Sequence, residues 1–276
     1  MTLSFEAFPP KKDSDFDSVA TAVEKIAQLK PDFMSVTYGA GGGTSTYTSK
    51  IAQIVQAQGV TALAHLTCVS SDRERIHHEL DALKEAGIEN ILALRGDMGP
   101  NHPPKTDFQY ASQLIAFIKS RDNSFHLSGA CYPEGHIESP DMVSDILNLK
   151  KKVDAGAEHL VSQLFFDNDD FYDFREKARI AGINVPIQAG IMPVLNKSQI
   201  ERMVYLCGAS IPKKLARMLS RYGDHPAALR DAGIAYAIDQ ISDLVASGVE
   251  GIHLYTMNNA GVARAIFDRV STLFTV

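Results

Sequence analysis

The chain has 276 residues, of which 45% are hydrophobic and 22% are charged, and its formal net charge is −6 at pH 7. This composition supports one large domain, and the negative charge argues against general nucleic-acid binding without excluding a local basic pocket. No apolar run approaches the ~20 residues of a membrane span, and Met1 leads directly into the first predicted strand, so we expect neither a membrane partner nor a signal peptide.

Eight short apolar runs, rich in β-branched residues, recur along the chain, and most of them end in a polar residue. The predicted strands are Leu3–Glu6, Asp32–Tyr38, Thr61–Thr67, Asn90–Arg95, Phe125–Tyr132, His159–Phe166, Val185–Ile191 and Gly251–Thr256. Because most runs are separated by one stretch with helical periodicity, they predict an α/β fold, a (β/α)8 TIM barrel forming a single domain over residues 1–276. The chemistry of such a barrel lies at the carboxyl ends of its strands.

Helical periodicity fills the intervals between the strands. The predicted helices are Asp15–Leu29, Thr46–Ala57, Asp72–Glu85, Asp107–Lys119, Asp141–Asp154, Asp169–Ala181, Lys197–Cys207, Pro212–Tyr222 and Pro226–Ser247. The last three share the crossover between strands 7 and 8, which is about twice as long as the others. We expect these extra helices to lie beside the barrel mouth and cover the substrate.

The segment Gly39–Thr44 follows strand 2 and precedes a helix, as a dinucleotide-binding loop does. Thr44 replaces the third glycine of G-x-G-x-x-G, however, and no acidic residue ends strand 3. We interpret the segment as a glycine loop that lets a flat ring approach the backbone.

The cysteines Cys68, Cys131 and Cys207 are widely spaced, odd in number and free of a C-x-x-C pair. This pattern favours a reducing compartment, and hence a cytoplasmic protein, over a disulfide framework or a zinc site.

Glu6 ends the first strand. Alternation along that strand places Ser4 and Glu6 on one face and Leu3 and Phe5 on the other. A carboxylate that faces a barrel interior loses solvation, which favours the protonated form that a general acid needs. The alternative is a buried carboxylate that pairs with an arginine and ties the barrel together.

Two further predicted strands carry polar residues of interest. Arg95 and Asp97 flank Gly96 after strand 4, and they form either a local ion pair or an anion-binding arginine beside a carboxylate that tunes a ring system. His65 lies within an apolar strand, where a hydrogen-bonded core histidine is more frequent than a catalyst.

The segments after these strands add aromatic, acidic and amide groups. Tyr132, Glu134 and His136 share the loop after strand 5. Gln163 lies inside predicted strand 6, where an uncharged amide needs a partner, which in a barrel is often a ligand.

One face of predicted helix 5 carries Asp145, Asn148 and Lys152, with Lys151 adjacent. Such a face is more often simply solvated, but an acid, an amide and a lysine can also hold a ribose, a base and a diphosphate.

Seven segments together resemble the methylenetetrahydrofolate reductase family. They occur in family order, and the resemblance as a whole covers the chain from residue 4 to about residue 260. They are Ser4–Pro10, Ser35–Ala40, His65–Cys68, Ala93–Asp97, Tyr132–His136, Asp145–Ala157 and Gln163–Asp167. The resemblance also implies a chain that ends where the bacterial catalytic domain ends, so we expect no added regulatory domain.

The resemblance implies a flavoprotein that reduces 5,10-methylenetetrahydrofolate to 5-methyltetrahydrofolate in one-carbon and methionine metabolism. NADH or NADPH would donate the hydride in a ping-pong reaction, and we also expect a homo-oligomer. FAD would bind without a Rossmann loop. Its implied contacts are Thr37, Tyr38, Ala40, His65, Arg95, Gly96, Asp97, Tyr110, Ala111, Tyr132, His136, Asp145, Asn148, Lys151 and Lys152.

The resemblance also implies catalytic roles for Glu6 and Asp97. Glu6 would be the general acid that helps to open the five-membered ring of the folate, and Asp97 would lie by the flavin and modulate hydride transfer. Gln163 and Gln199 would contact the folate and the nicotinamide in turn. The implied substrate contacts are Glu6, Thr37, Gln163, Gln199, Met203 and Asn259.

Several positions depart from the family pattern. Ala7 and Met203 stand where phenylalanine is common, Asn259 stands where an arginine often contacts substrate, and Lys151 replaces an arginine. These departures leave the flavin site intact and bear on nucleotide affinity and on the preferred donor.

Other functions fit the sequence less well, with one exception. The same scaffold working oxidatively on 5-methyltetrahydrofolate would have the same sequence. A flavin-free homologue is disfavoured by the polar face of helix 5, and a silent folate- or flavin-binding subunit would be expected to lose Glu6 or Asp97. A metal-dependent barrel lyase is disfavoured because no ligand set recurs at the strand ends.

Overall fold

Eight parallel strands close into a barrel in sequence order in this computed structural model, which describes residues 1–38, 45–97 and 107–275. The strands are β1 (Thr2–Ala7), β2 (Phe33–Val36), β3 (Thr61–Thr67), β4 (Asn90–Leu94), β5 (His126–Cys131), β6 (His159–Ser162), β7 (Ile187–Ile191) and β8 (Gly251–Leu254). Pairing of β8 with β1 completes the ring. The predicted TIM-barrel class is confirmed.

Helices alternate with the strands and cover the barrel. They are α1 (Phe16–Ala27), α2 (Ser45–Ala57), α3 (Arg73–Glu85), α4 (Ala111–Arg121), α5 (Met142–Asp154), α6 (Asn168–Ile180), α7 (Lys197–Cys207), α8 (Lys213–Tyr222), α9 (Pro226–Ala246) and α10 (Ala260–Val270). The three helices predicted in the long crossover are present. None of the helices in the described ranges is long and apolar enough to cross a membrane.

The main apolar core lies between the strands and the helix layer. Leu3 and Phe5 are buried in it, whereas Ser4 and Glu6 face the barrel interior, as the alternation predicts. A second apolar cluster lies under the long crossover and contains Leu164 and Phe166.

That second cluster explains the largest error in strand length. The apolar run His159–Phe166 predicts one strand, but β6 ends at Ser162. Leu164 and Phe166 leave the sheet to pack under the crossover helices. Gln163 therefore lies just past the strand and not inside it.

Two helix predictions also need correction. Predicted helix 4 begins at Asp107, but α4 begins at Ala111, because the Asp107 carboxylate accepts a 2.9 Å hydrogen bond from the backbone N–H of Arg73 at the start of α3. The C-terminal helix α10 was not predicted, although Val262, Ile266 and Val270 repeat at helical spacing and are buried.

Candidate active site

Glu6 lies at the carboxyl end of β1 with 7% of its surface exposed, in a buried polar cluster. Strand register places Ser35 beside it on β2. Glu6 Oε2 is 3.4 Å from Ser35 Oγ, 3.6 Å from His65 Nε2 and 3.8 Å from His253 Nε2. Among the described residues the basic side chains within 4 Å of Glu6 are histidines, so the alternative of an arginine pair is not observed.

The imidazole of His65 is buried beside this carboxylate. Its Nε2 has no hydrogen-bond partner among the described residues, contrary to the expectation for a core histidine. Burial lowers the pKa of His65 to about 4, with the Glu6 carboxylate opposing the shift and His253 adding to it. His65 is therefore neutral near pH 7 and does not pair with Glu6 as a cation.

A chain of polar side chains continues from Glu6 through the barrel interior. His253 is fully buried, with Nε2 3.2 Å from Ser35 Oγ and Nδ1 2.7 Å from Ser4 Oγ. Ser4 Oγ donates to Gln188 Oε1 at 2.7 Å. We call Glu6, Ser35, His253, Ser4 and Gln188 the interior chain.

Gln188 and His253 are not among the predicted site residues, and Ser35 appears only as the first residue of a family-like segment. A usable signal was present, because Gln188 and His253 are polar residues within apolar strands, the same pattern that drew attention to Gln163. Buried polar groups need partners, and here they supply one another.

Tyr255 follows β8 and borders the same cluster. Its hydroxyl donates to the carbonyl of Ser162 at 2.6 Å, and its ring packs edge-on against His253 at 5.0 Å between centroids. Burial, with the Glu6 carboxylate next in effect, raises the pKa of Tyr255 well above its usual range. The phenol therefore keeps its proton.

Arg95 follows β4 and pairs with Glu138 from the segment after β5, not with Asp97. The second Arg95–Glu138 contact is 2.8 Å, and the hydrogen bond from Arg95 lowers the pKa of Glu138. Gly96 has φ +87°, and a Cβ there would lie 3.0 Å from Thr67 Cβ, so the turn requires glycine. Asp97 is exposed at the tip of the turn.

The loop after β5 contacts the inner side of α5. Tyr132 and His136 pack edge-on with centroids 4.7 Å apart. Lys152 Nζ donates to the carbonyl of Ala130 at 2.7 Å and lies 5.5 Å from the Tyr132 ring, and burial lowers its pKa. Asp145 is also buried.

The polar face predicted on α5 consists of two buried or inward-facing residues and two exposed residues. Asp145 and Lys152 are turned inward, and Asp145 accepts a 2.8 Å hydrogen bond from Ser139 Oγ. Asn148 and Lys151 are exposed, and Lys151 Nζ donates to Asn148 Oδ1 at 2.9 Å. No carboxylate pairs with Lys151 among the described residues, so its charge is available to an anionic group.

Four other residues that the resemblance implies as FAD contacts lie along the rim of the barrel. Thr37 and Tyr38 directly follow β2, and the hydroxyl of Tyr38 accepts a hydrogen bond from Arg75. Tyr110 is 60% exposed at the start of α4, with Ala111 buried behind it. Ala40, with the rest of the segment Gly39–Thr44, lies outside the described residues.

Gln163 lies just after β6, where its side-chain oxygen accepts a hydrogen bond from the backbone N–H of Leu164 at 2.9 Å. Glu134, in the β5 loop, accepts a hydrogen bond from the N–H of Ser210 at 2.9 Å and so joins that loop to the long crossover. Its other oxygen is buried without a partner among the described residues.

The long crossover presents Gln199 and Met203 from α7. Both are half-buried, and Met203 packs on the second apolar cluster. Asn259 caps α10, since its side chain accepts from the N–H of Val262 at 3.1 Å. That cap is a structural reason for asparagine at this position.

A cavity of about 420 Å³ opens at the opposite, amino-terminal end of the barrel, bordered by Thr2, Phe33, His159 and Gln188 among others. It lies away from the strand ends that carry Glu6, Arg95 and Tyr132. No group of three His, Cys, Asp or Glu side chains in the described ranges is arranged to hold a metal ion.

Comparison with known proteins relates the whole chain to one family. Residues 1–271 match the family model described as Methylenetetrahydrofolate reductase. The 5,10-methylenetetrahydrofolate reductases of Pectobacterium carotovorum and Escherichia coli are 34% and 35% identical, each match covering 96% of this chain and 89% of the relative. Methylenetetrahydrofolate reductase (NADH) 1 of Arabidopsis thaliana is 37% identical over 92% of this chain, which spans 46% of that relative's length.

Solved structures agree on the fold. An uncharacterised protein from Clostridium thermocellum that binds two copies of 5-methyl-5,6,7,8-tetrahydrofolic acid superposes with a TM-score of 0.65 at 15% identity, covering 100% of this chain and 95% of the other. Dihydropteroate synthase from Thermus thermophilus gives a TM-score of 0.52 at 12% identity, covering 100% and 94%.

Proposed function

The chain belongs to the methylenetetrahydrofolate reductase family, and we propose that it reduces 5,10-methylenetetrahydrofolate to 5-methyltetrahydrofolate with FAD as cofactor and NADH or NADPH as donor. The observation that carries the proposal is the position of Glu6. It is a buried carboxyl group at the carboxyl end of a barrel strand, where barrel enzymes hold their chemistry, and its hydrogen-bond and electrostatic contacts among the described residues are with Ser35, His65 and His253.

The residues along β4, β5 and α5 fit a long ligand that is aromatic at one end and anionic in the middle. Lys151 and Asn148 offer a cation and an amide, and in the described part of the chain no carboxylate pairs with Lys151. Arg95 offers a guanidinium at the strand end, although Glu138 would have to share it. These groups match the diphosphate and ribose parts of FAD.

We propose that further side chains and backbone groups along the strand ends complete the FAD site. They are Thr37, Tyr38, Ala40, His65, Gly96, Asp97, Tyr110, Ala111, Tyr132, His136, Asp145 and Lys152. When bound, FAD would carry the hydride from the nicotinamide to the folate. Asp97, exposed at the β4 tip, would bias the charge of the flavin ring.

Glu6 would act in the folate half of the reaction. Opening the five-membered ring of the folate requires a proton at the departing nitrogen, and a neutral carboxyl group can donate it. His65 contributes no positive charge there, because it is neutral near pH 7. Gln163 and Gln199 would orient the folate and the nicotinamide in turn, beside Thr37, Met203 and Asn259.

Four points of this proposal concern the protein as a whole. We propose that residues 1–276 form one FAD-binding catalytic domain, that the chain forms a homo-oligomer, and that it acts in one-carbon metabolism in the cytoplasm. All three cysteines are free, as expected for a reducing compartment.

The test is the visible spectrum of the purified protein. We expect a flavin spectrum that bleaches under anaerobic NADH or NADPH and returns on addition of 5,10-methylenetetrahydrofolate. A colourless protein that takes up no FAD on titration would overturn the cofactor. A flavin that bleaches but is not reoxidised by the folate would overturn the substrate.

A further inference from the structure

The carboxyl end of β1, where Glu6 lies, is held unequally by its two neighbouring strands. Pairing with β2 continues through Ala7, whose carbonyl also accepts a 3.0 Å hydrogen bond from the N–H of Thr37. Pairing with β8 ends earlier, at Phe5 beside Leu254. On the β8 side the paired backbone therefore stops one residue before Glu6.

The chain leaves β1 at this point because it turns toward β7. The backbone N–H of Tyr255, the first residue after β8, donates to the carbonyl of Ile191 at 2.9 Å. Its phenol donates to the carbonyl of Ser162 at the end of β6. Both bonds of Tyr255 are directed away from β1, so another group has to hold the β1 end on this side.

The side chain of Asn258 supplies that group. Its Oδ1 accepts a hydrogen bond from the backbone N–H of Phe8 at 2.9 Å, and its Nδ2 donates to the carbonyl of Phe8 at 2.7 Å. A primary amide offers the same acceptor and donor as a peptide group, so it can replace a strand at this edge. We call these two bonds the Asn258 clamp. The peptide group between Ala7 and Phe8 is then held on both sides, by Thr37 at its carbonyl and by Asn258 at its N–H.

The backbone that presents this amide is strained. Met257 has φ +52° and Asn258 has φ +59°, in the left-handed region that residues with a side chain rarely adopt. Asparagine tolerates this region better than most residues, but methionine does not, and Met257 is 39% exposed and gains little from packing. Strain of this kind persists only where surrounding contacts compensate for it. The Asn258 clamp is one such contact, and the cap that Asn259 provides to α10 is another.

We propose that Asn258 is a positioning residue, which fixes the Ala7–Phe8 peptide and through it the direction of the Glu6 side chain at the barrel mouth. The fixed peptide follows Glu6 by one residue, so rotation there would turn the carboxylate. Small errors in the position of a reacting group are costly, since about 1 Å can reduce a rate by ~10²-fold. The inference rests on the proposed function for the role of Glu6, but the Asn258 clamp itself does not depend on it.

Two substitutions separate the amide from the backbone strain. Asn258→Gly and Asn258→Ala both remove the clamp, but glycine adopts a positive φ freely and alanine does not, so the alanine variant should be the less stable in urea denaturation. Lys30→Gly is the matched control. Lys30 also has a positive φ, +54°, but it is exposed between α1 and β2, near the amino-terminal end of the barrel.

The first measurement needs no substrate. Hydrogen–deuterium exchange is followed by mass spectrometry in overlapping peptides that cover Ala7–Pro10. Since Pro9 and Pro10 have no N–H, this stretch contains only the backbone amides of Ala7 and Phe8. We expect one more of them to exchange rapidly in both Asn258 variants, and no change in Lys30→Gly. Unchanged protection in both Asn258 variants would overturn the clamp, whatever the activity.

The second measurement separates the half-reactions by stopped-flow absorbance. In both Asn258 variants we expect flavin reduction by the nicotinamide to be unchanged and reoxidation by 5,10-methylenetetrahydrofolate to slow by about tenfold, although the two variants differ in stability. Normal reoxidation in Asn258→Gly, or equal slowing of both steps, would show that Asn258 is merely structural. If the folate does not reoxidise the unchanged protein, the proposed function fails, whereas the clamp is still decided by the exchange measurement.

Discussion

His65 Nε2 stands 3.6 Å from Glu6 Oε2 and has no hydrogen-bond partner among the described residues. The two groups are close enough for electrostatic contact, yet burial holds the histidine neutral. His65 therefore adds no positive charge beside Glu6, although the two side chains are in direct contact range.

The neutrality of His65 makes stability depend on pH. Its pKa is 6.5 when exposed and about 4 in the folded protein, so the unfolded chain binds more protons between these values. Stability is full above pH 6.5 and falls as pH drops toward 4, by about 3 kcal/mol at most from this group. Urea titrations at several pH values in this range give the slope of the unfolding free energy against pH. His65→Asn should lower that slope by the equivalent of about one bound proton.

His78→Asn is the control for that measurement, because His78 is exposed on α3. It should leave the slope unchanged. His159, whose pKa burial also lowers to about 4, should account for much of the slope that remains. An unaltered slope in His65→Asn would mean that His65 is protonated in the folded protein near neutral pH.

Replacement of Glu6 should affect one half-reaction. Glu6→Gln keeps the size and removes the acid, so reduction of the flavin by NADH or NADPH should proceed while reoxidation by the folate slows by ~10²-fold or more. Stopped-flow absorbance measures both steps. Glu79→Gln is the control, since Glu79 is also buried but lies on α3 beside Arg75. Equal slowing of both steps in Glu6→Gln would assign Glu6 a structural role.

The sequence predicted the order of strands and helices well, because hydrophobic periodicity decides which face of each element is buried. It failed where another interaction replaced the pattern. The apolar residues Leu164 and Phe166 resemble the end of a strand, but the crossover helices offer them a second core. Asp107 resembles the start of a helix, but it holds α3 instead.

The site was predictable only in part, for a related reason. Glu6 and Arg95 stand at strand ends, which sequence can locate. The interior chain depends on which residues on neighbouring strands stand side by side, such as Ser4 beside His253. Register between strands that are about 250 residues apart is not visible in a single sequence, so the partners of Glu6 emerge only from the closed barrel.

Lys151 should be a principal cation for the flavin diphosphate. Lys151→Met removes a charge that has no carboxylate partner among the described residues, and a charge-assisted hydrogen bond of about 1.5–3 kcal/mol corresponds to at least tenfold weaker FAD binding. Lys150→Met is the matched control on the same helix, because Lys150 already pairs with Asp154. Fluorescence titration of the apoprotein with FAD measures both, and equal affinities would remove Lys151 from the site.

Gly190 on β7 should tolerate no side chain. A Cβ there would lie 2.3 Å from the carbonyl of Ser162 and 2.7 Å from the Tyr255 ring, so the contact between these two residues would be lost. We expect Gly190→Ala to destabilise the fold by about 2–3 kcal/mol in urea denaturation. Gly129→Ala on β5, with its nearest neighbour a leucine methyl group at 3.3 Å, should cost far less. Similar costs would show that β7 can shift without loss.

The departures at Met203 and Asn259 should set substrate affinity. Asn259→Arg supplies a charge that a carboxylate or phosphate of one substrate can bind, which should lower its KM by about tenfold. The same change removes the cap of α10, at a cost of about 1 kcal/mol in stability. Asn259→Ser keeps a capping oxygen without the charge, so it separates these two effects.

Met203→Phe tests the other departure. Met203 is half-buried against the second apolar cluster, and a rigid ring there would offer a larger flat surface to a bound pterin or nicotinamide than a flexible thioether does. KM for the folate and for the nicotinamide should be measured separately for both substitutions, singly and together. If neither value changes in any variant, these positions do not contact the ligands, and the long crossover does not cover the substrate.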